Sequence, residues 1–254
     1  MMGQAQPRRR GSYGIDAPYW AAALVVLIVA ELALAIMSDK MWSFLPVVLL
    51  LAIFGSALYT TLRGKFLVWA ELLDKLELRG DERILDLGCG RGAVLLMAAQ
   101  RLTTGRAVGI DLWRSADQSG NSAEATRRNA IAEGVADRIE LHTGDMAALP
   151  FADNSFDVVV SSLAIHNIIG HAGREKAIDE ALRVLRPGGR LMIADVRGTR
   201  RHKAQLARIG MSDVTRRRLG WQFWVSLVTA TKPEQGASSS TNPAREVIPG
   251  NLTP

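Results

Sequence analysis

The strongest constraint on the fold is a short apolar run that leads into one acidic residue and three alternating glycines. Residues 84–92 have the sequence ILDLGCGRG, in which Asp86 precedes Gly88, Gly90 and Gly92. Glycine tolerates positive φ and has no Cβ, so a chain that turns here leaves its main-chain N–H groups open to a ligand. A helical segment, Val94 to Leu102, follows. The motif predicts a strand, a tight turn and a helix that bind a nucleoside-containing cofactor.

The spacing of the glycines distinguishes between two kinds of cofactor. A dinucleotide site would have the pattern G-x-G-x-x-G, in which the third glycine allows close packing of the helix. Here the pattern is D-x-G-x-G-x-G. Asp86 would repel a phosphate but accept a hydrogen bond from an amino or hydroxyl group. The pattern favours a zwitterionic nucleoside over NAD, which is the alternative.

Short apolar runs separated mostly by helix-length segments predict the architecture that surrounds this motif. The runs are residues 83–87, 107–110, 139–142, 158–161 and 191–194. Such alternation predicts βαβ crossovers and an α/β fold with a Rossmann-like, mostly parallel, doubly wound sheet. Ligands of such sheets bind at the carboxyl ends of the strands. Five polar residues fall at these ends and are expected to converge there: Asp86, Asp111, Asp145, Ser161 and Ser162.

The pattern changes after Val196. A basic helical segment runs from Arg201 to Ile209, and two strands, Asp213 to Leu219 and Gln222 to Thr231, are joined by Gly220 and Trp221. This arrangement predicts a C-terminal antiparallel hairpin at the edge of the sheet. The segment from Pro233 onward is rich in small and polar residues, which predicts a disordered tail.

Several segments make the chain resemble the class I S-adenosylmethionine-dependent methyltransferases. ILDLGCGRG is similar to their first motif, and RAVGIDL at 106–112 resembles the second strand, which ends in an acid. PFADNSFDVVVSSLAIHN at 150–167 resembles the fourth-strand region of ubiquinone and menaquinone methyltransferases and their small-molecule relatives. LRVLRPGGRLMIADV at 182–196 is similar to the family's helix, Pro-Gly-Gly turn and fifth strand. The resemblance covers roughly residues 80–231.

The resemblance implies S-adenosyl-L-methionine as the cofactor. Asp111, about 20 residues beyond the glycines, is placed to bind ribose hydroxyls, with a helix cap as the alternative role. In this family, residues 144–146 flank the adenine and Asp145 accepts from its amine. Trp113 is a candidate to stack on the adenine, or else packs beneath the sheet. The predicted cofactor-binding residues are Asp86, Gly88, Cys89, Gly90, Asp111, Leu112, Trp113, Asp145, Met146 and Ser161.

One histidine is the candidate catalytic residue. Methyl transfer needs a close and oriented acceptor, and a base helps when the acceptor is a hydroxyl, thiol or carbon acid. His166 follows the fourth strand, where the acceptor pocket usually opens. It is predicted to remove or orient the acceptor's proton, and the alternative is a residue that caps a helix or lines the loop. His171 is the weaker candidate, and Asp157 is interpreted as structural.

Cysteine and histidine usage argues against metal and disulfide chemistry. The chain has a single cysteine, Cys89, so it cannot form an internal disulfide, which is consistent with a reducing compartment. Cys89 is interpreted as a small residue that is tolerated in the turn. Four scattered histidines show no zinc-type spacing, so no metal site is predicted.

Two long apolar runs precede this domain. Pro18 to Met37 is interrupted only by Glu31, and Met41 to Leu62 carries no charge. Each run is long enough to cross a hydrocarbon core of about 30 Å as a helix. The turn of three residues between them, 38–40, predicts a transmembrane helical hairpin. Aromatic residues typical of membrane interfaces lie near the ends of the runs: Tyr19, Trp20, Trp42 and Tyr59.

The basic flanks of the hairpin predict its orientation. Arg8 to Arg10 precede the first run, and Arg63 and Lys65 follow the second. By the positive-inside rule both flanks, and the catalytic domain with them, are cytoplasmic. A cleaved signal peptide with Ala33 and Ala35 near its cleavage site is one alternative. A buried pair of core helices is the other.

The predicted organisation has five parts. They are a basic N-terminus at 1–17, two transmembrane helices at 18–62, a linker helix at 63–79, the cofactor-binding domain at 80–231 and a disordered tail at 232–254. Tethering the site to a bilayer predicts a lipophilic small-molecule acceptor such as a quinol, phenol, lipid, thiol or amine.

Charge and motif spacing weigh against two other functions. The net charge is +6, and the basic residues that cause it are interpreted as contacts with anionic headgroups. No nucleic-acid partner is therefore predicted. No oligomeric state is assigned. A nucleic-acid or protein methyltransferase often has Asn/Asp-Pro-Pro-aromatic after the fourth strand, where this chain has SSLA at 161–164. That class and a non-catalytic cofactor-binding membrane module are the alternatives.

Overall fold

The structure is a computed structural model and describes residues 9–38, 40–219 and 225–234. Seven strands in this part of the chain form a single sheet. They are β1 (Arg83–Leu87), β2 (Arg106–Asp111), β3 (Ile139–Thr143), β4 (Phe156–Ser162), β5 (Leu185–Asp195), β6 (Ser212–Arg218) and β7 (Ser226–Thr231). Their order across the sheet is β3-β2-β1-β4-β5-β7-β6.

The direction of the strands confirms the predicted fold class. Strands β1 to β5 pair with one another in parallel, whereas β7 is antiparallel to both β5 and β6. The sheet is therefore Rossmann-like with an antiparallel C-terminal hairpin. The predicted turn at Gly220 and Trp221, the first residues of the predicted last strand, Arg8, Asp39 and most of the predicted tail lie outside the described residues.

Helices cover both faces of the sheet. The helices are α1 (Pro18–Met37), α2 (Leu45–Tyr59), α3 (Lys65–Asp74), α4 (Ala93–Ala99), α5 (Ala123–Glu133), α6 (His171–Val184) and α7 (Thr199–Arg208). Successive side chains of a strand point to opposite faces, so Ile84 packs with Trp69 and Leu95 on one face, and Leu85 packs with Ile178 on the other. The two apolar clusters hold helices α3 to α7 against the sheet.

Strand β5 begins earlier than the sequence predicts. The Pro-Gly-Gly segment was expected to form a turn between helix and strand, but residues 185–190 are already part of β5. Gly188 N donates to Lys232 O, and Lys232 N donates to Gly189 O. The residues just after β7 thus extend the pairing alongside this segment.

The two N-terminal apolar helices pack against each other as a hairpin. By length and composition, Pro18–Met37 and the longer helical stretch Met41–Asp74 could each cross a membrane. Among their residues before the domain, few apolar side chains are buried, namely Leu24, Ala35 and Val47. The alternative was a pair of buried core helices, and the exposed side chains of these two helices do not agree with it.

The second apolar helix continues into the cofactor-binding domain without a loop. A π-helical turn, Thr60–Gly64, connects α2 directly to α3. Trp69 of α3 is 1% exposed, and its Nε1 donates to Ser162 Oγ at the carboxyl end of β4 over 2.8 Å. The helix therefore reaches the domain at the carboxyl edge of the sheet.

Residues 9–17, called the N-terminal strap below, lie along the domain. Main-chain N–H groups of Gly11 and Ser12 donate to Glu133 Oε1 and Asn129 Oδ1 of α5, over 2.9 and 2.8 Å. Ile15 N donates to Ser119 Oγ. The strap then enters α1 at Pro18, where the proline occupies the first helical turn and loses no helical hydrogen bond. The sequence predicts only a basic N-terminus here.

Candidate active site

A cavity opens at the carboxyl edge of the sheet, where the loops after β1, β2, β3 and β4 meet. Its position agrees with the place at which parallel α/β sheets bind ligands. Eight of the ten predicted cofactor-binding residues line it: Asp86, Gly88, Cys89, Gly90, Asp111, Leu112, Asp145 and Met146.

The glycine turn requires glycine for steric reasons. Gly88, Gly90 and Gly92 have φ values of 71°, 52° and 86°. A Cβ added to Gly88 would overlap the Cβ of Ala164. One added to Gly90 would lie 2.5 Å from Gln118 Oε1. The turn therefore packs tightly against two neighbouring loops at the floor of the cavity.

Asp111 fixes the glycine turn from the end of β2. Its Oδ2 accepts from Gly90 N at 2.8 Å, and its Oδ1 accepts from Trp113 N at 2.6 Å. The N-cap of the next helix, α5, is Ser122, whose Oγ accepts from Ala125 N. Asp111 therefore does not cap a helix, which was the alternative role, and its carboxylate is at the cavity wall.

Asp86 is a buried acid on the cavity floor. Its side chain is almost inaccessible, and burial raises its pKa to about 7, with a further increase from the nearby Asp111 charge. A carboxyl in this state gains from a positively charged partner, because the partner favours the ionised form. A ligand ammonium group would be such a partner.

The cavity wall contains a buried acceptor that the sequence analysis missed. Asn121 Nδ2 donates to Asp111 Oδ1, while Asn121 Oδ1 is buried with no hydrogen-bond partner among the described residues. An unpaired buried acceptor favours a ligand that brings a hydroxyl or amino donor. No local signal marks Asn121, because it lies in an irregular loop ten residues after Asp111.

The charge of the wall fits a cationic cofactor. Two basic side chains contribute to the lining, Lys65 and Arg114. Five acids face them: Asp16, Asp86, Asp111, Asp117 and Asp145. S-adenosylmethionine carries a sulfonium and an ammonium against one carboxylate, so the acidic excess and the unpaired Asn121 acceptor match its charge and donors. The residues present therefore fit this cofactor.

Two residues of the predicted cofactor site lie outside the cavity lining. Ser161 is fully buried, and its Oγ donates to Leu87 O in the neighbouring strand. Trp113 packs against the core, and its Nε1 donates to Thr143 Oγ1 at 2.8 Å. The neighbouring Ser162 lines the cavity instead.

The minor sequence candidates occupy structural positions. Asp157 accepts from Arg83 N and from Arg186 Nη1, both at 2.7 Å, so it joins the amino ends of two strands. His171 is the exposed first residue of α6. Cys89 is buried, which raises the pKa of its thiol. The described residues contain no group of three or more potential metal ligands.

His166 is held by an acid that sequence analysis did not identify. Its Nδ1 lies 2.7 Å from Oδ1 of Asp195, the fully buried last residue of β5. Asp195 Oδ2 also accepts from His166 N at 3.0 Å. The side chain of His166 is 18% exposed beside the cavity, whose wall includes the next residue, Asn167. The main-chain N–H is thus anchored to this carboxylate, and the ring nitrogen lies within ion-pair distance of it without an aligned hydrogen bond.

The helix that leaves the apolar hairpin contributes Lys65 to the cavity wall. Lys65 Nζ contacts both carboxylate oxygens of Asp16, at 3.0 and 2.8 Å. Asp16 also accepts from Gln118 Nε2, and Gln118 Oε1 accepts from Arg91 N next to the glycine turn. A chain of hydrogen bonds therefore connects the apolar helix to the glycine turn through the N-terminal strap.

Comparison with known proteins finds similarity to methyltransferases over the central part of the chain. Residues 85–193 match the family model described as a methyltransferase domain. The chain is 39% identical over 129 residues to the ubiquinone/menaquinone biosynthesis C-methyltransferase UbiE of Roseobacter denitrificans, covering 50% of this chain and 48% of that protein. It is 38% identical over 131 residues to methyltransferase GfsG of Streptomyces halstedii, covering 51% and 44%. The chain spans about half the length of these relatives.

Solved structures agree on the fold. A SAM-dependent methyltransferase from Aquifex aeolicus is similar with a TM-score of 0.53 and 18% sequence identity, over 64% of this chain and 88% of that one. At this identity, the likeness describes the arrangement of strands and helices alone.

Proposed function

We propose that the protein is a membrane-anchored methyltransferase that moves a methyl group from S-adenosylmethionine to a lipophilic small-molecule acceptor. The observation that carries the proposal is the composition of one cavity wall. The glycine turn with Asp86 and Asp111 meets Lys65, the first residue of α3, which continues the second apolar helix. The proposed cofactor-binding groups and the helix that continues the apolar hairpin thus line one cavity.

Each acidic residue of the wall has a proposed partner on the cofactor. Asp111 holds the glycine turn and accepts from the ribose hydroxyls, and Asp145 accepts from the adenine amine. Asp86 pairs with the ammonium of the methionine part, which suits a buried carboxyl. The cofactor supplies a methyl group on a sulfonium. We propose that Trp113 and Ser161 support this site from outside the cavity. Trp113 donates a hydrogen bond to Thr143, and Ser161 donates one to the end of β1.

His166 is the proposed proton acceptor. The distance from Nδ1 to Asp195 Oδ1 supports a ring whose Nδ1 faces the buried carboxylate. Nε2 is then the nitrogen that takes a proton from the acceptor, and Asp195 stabilises the positive charge that develops on the ring. A module that only sensed the cofactor would not need such a pair, so the pair favours turnover.

The proposed acceptor is a prenylated quinol or phenol. The named function of the UbiE relatives, C-methylation in quinone biosynthesis, supports this class. The two apolar helices support an acceptor dissolved in the bilayer. A nucleic-acid or protein acceptor is the alternative, and the sequence SSLA after β4 favours the small molecule.

The proposed topology has two membrane spans within residues 18–62 and a cytoplasmic domain at 80–231. Residues 1–17 and the helical connection within 63–79 are cytoplasmic, and 232–254 is a tail. Arg9 and Arg10 before the first span and Arg63 after the second support this orientation. Extraction of membranes with carbonate tests the anchor, because release of the full-length protein would contradict two spans.

The activity is tested with S-adenosylmethionine that carries a labelled methyl group and a membrane lipid extract. We expect label in the lipid fraction with the full-length protein, and none with Asp86→Ala, which also loses binding of S-adenosylhomocysteine. Asp137→Ala, whose carboxylate is exposed outside the cavity, is the matched control and keeps both. Label found only in added protein or RNA would favour the alternative acceptors. Binding without transfer to any acceptor would favour a sensor.

A further inference from the structure

Exposed aliphatic side chains surround the mouth of the cavity. Leu112 follows β2, Ile169 lies in the loop between β4 and α6, and Val196 follows β5. They are 44%, 90% and 38% exposed. Leu112 and Ile169 also line the cavity, together with Ile168. These three exposed residues, Leu112, Ile169 and Val196, are called the apolar rim.

Both chain connections to the apolar helices leave the domain at this same edge. Lys65, a lining residue, is three residues beyond the end of the second apolar run, which is about 4.5 Å along a helix. Asp16, also a lining residue, is two residues before α1. The carboxyl edge of the sheet therefore faces whatever medium surrounds the apolar hairpin.

Two exposed arginines lie next to the apolar rim. Arg114 is exposed two residues after Leu112, and Arg197 is exposed directly after Val196. Aliphatic side chains with adjacent arginines match an interface in which hydrocarbon lies below negatively charged headgroups.

We propose that the apolar rim inserts into the bilayer, so that a membrane-dissolved acceptor enters the cavity between Ile169 and the helix that carries Lys65. The inference rests on the proposed membrane-anchored function and adds a second membrane contact, made by the catalytic domain itself. Apolar surface at the mouth remains in contact with hydrocarbon while the acceptor passes, so its tail need not cross water.

The chain allows a direct test with a polarity-sensitive dye. Its single cysteine, Cys89, is buried, so Ile169→Cys in the full-length protein provides one accessible thiol for labelling. Asp81→Cys is the control. The side chain of Asp81 is 59% exposed, and the residue lies two positions before β1, at the amino edge of the sheet.

The two labelled proteins are compared in liposomes of zwitterionic and anionic lipid that contain a lipid-borne quencher. We expect a blue-shifted emission that is quenched by the lipid at position 169, and a water-like, unquenched emission at position 81. Equal, water-like emission at the two positions would overturn the proposal. A blue-shifted emission at position 169 that the lipid quencher does not reduce would also overturn it, because a contact with protein would then cause the shift. Carbonate extraction and S-adenosylhomocysteine titration on the same samples report separately on the proposed function.

Discussion

Asp86 is a buried carboxyl whose pKa is close to neutral pH. Burial raises its pKa to about 7, whereas an unfolded aspartate has a pKa of about 3.9. The folded, ligand-free protein therefore binds the extra proton between these values, and Asp86 contributes less to stability as pH rises from 4 to 7. The proposed pairing with the cofactor ammonium requires the ionised form, so this binding mode releases the proton when the cofactor binds below pH 7.

The first prediction concerns the pH dependence of cofactor affinity. We expect the Kd for S-adenosylhomocysteine to rise by up to about tenfold for each pH unit below 7, because Asp86 must lose its proton. Calorimetric titration in buffers of different ionisation enthalpy measures both the Kd and the proton released. Asp86→Asn should bind more weakly and without this slope. A flat Kd for the wild-type protein between pH 5 and 7 would remove Asp86 from the ammonium site.

The second prediction concerns the pair of His166 and Asp195. His166→Ala should lower kcat by about 10²-fold or more, since a positioned base contributes this much, while cofactor affinity is unchanged. Asp195→Asn should lower kcat and change its pH profile, because the ring loses the carboxylate 2.7 Å from Nδ1. His171→Ala is the control and keeps wild-type kcat, because His171 is exposed at the start of α6. Equal losses in all three variants would indicate a general effect on folding.

At the scale of elements, the N-terminal strap carries a largely buried ion pair of the site. Lys65 has a side chain that is 7% exposed, and Asp16 is its carboxylate partner. Removing one member of a buried pair leaves an uncompensated charge in a poorly solvated place. The strap, the apolar helix and the glycine turn are all connected through Asp16, so its loss affects three elements at once.

The third prediction follows from this pair. Asp16→Ala should destabilise the cofactor-binding domain by about 3 kcal/mol, measured by thermal or denaturant unfolding in detergent. Glu71→Ala is the matched control, since it breaks an exposed pair with Lys75 on the same helix and should cost less than about 1 kcal/mol. Adding Lys65→Met to Asp16→Ala should recover part of the loss. A similar cost for both single variants would show that the Asp16 pair is screened by solvent.

The sequence predicts elements well where the determinants are local. The bounds of β1 and of the first apolar helix agree with the prediction, because apolar runs, glycine and proline define them directly. β5 begins before its predicted start, since Gly188 and Gly189 pair with Lys232, which is far away in the sequence. Asp195 was missed for the same reason, since its partner His166 is 29 residues away. Asn121 was missed because no local pattern marks its irregular loop.

At the scale of the molecule, the apolar helices join the domain next to the cavity. Composition alone does not predict this position. Hydropathy predicts that two helices are apolar, but it does not say which edge of the sheet they meet. The contact from Trp69 to Ser162 and the position of Lys65 in the cavity wall place that junction at the carboxyl edge. An acceptor held in a surrounding bilayer would therefore be concentrated at the mouth of the site.

The fourth prediction is that the reaction obeys surface dilution. With a prenylated acceptor in proteoliposomes at subsaturating density, tenfold more lipid at constant total acceptor should lower the initial rate about tenfold, because the effective concentration is set within the membrane. A short, water-soluble analogue of the acceptor should show no such dependence, which provides the control within the same preparation. Cofactor affinity should be unchanged throughout, since the cofactor is drawn from water. If the rate with the prenylated acceptor does not change with the amount of lipid, the acceptor enters the site from the aqueous phase. The helical hairpin would then only hold the protein at the membrane.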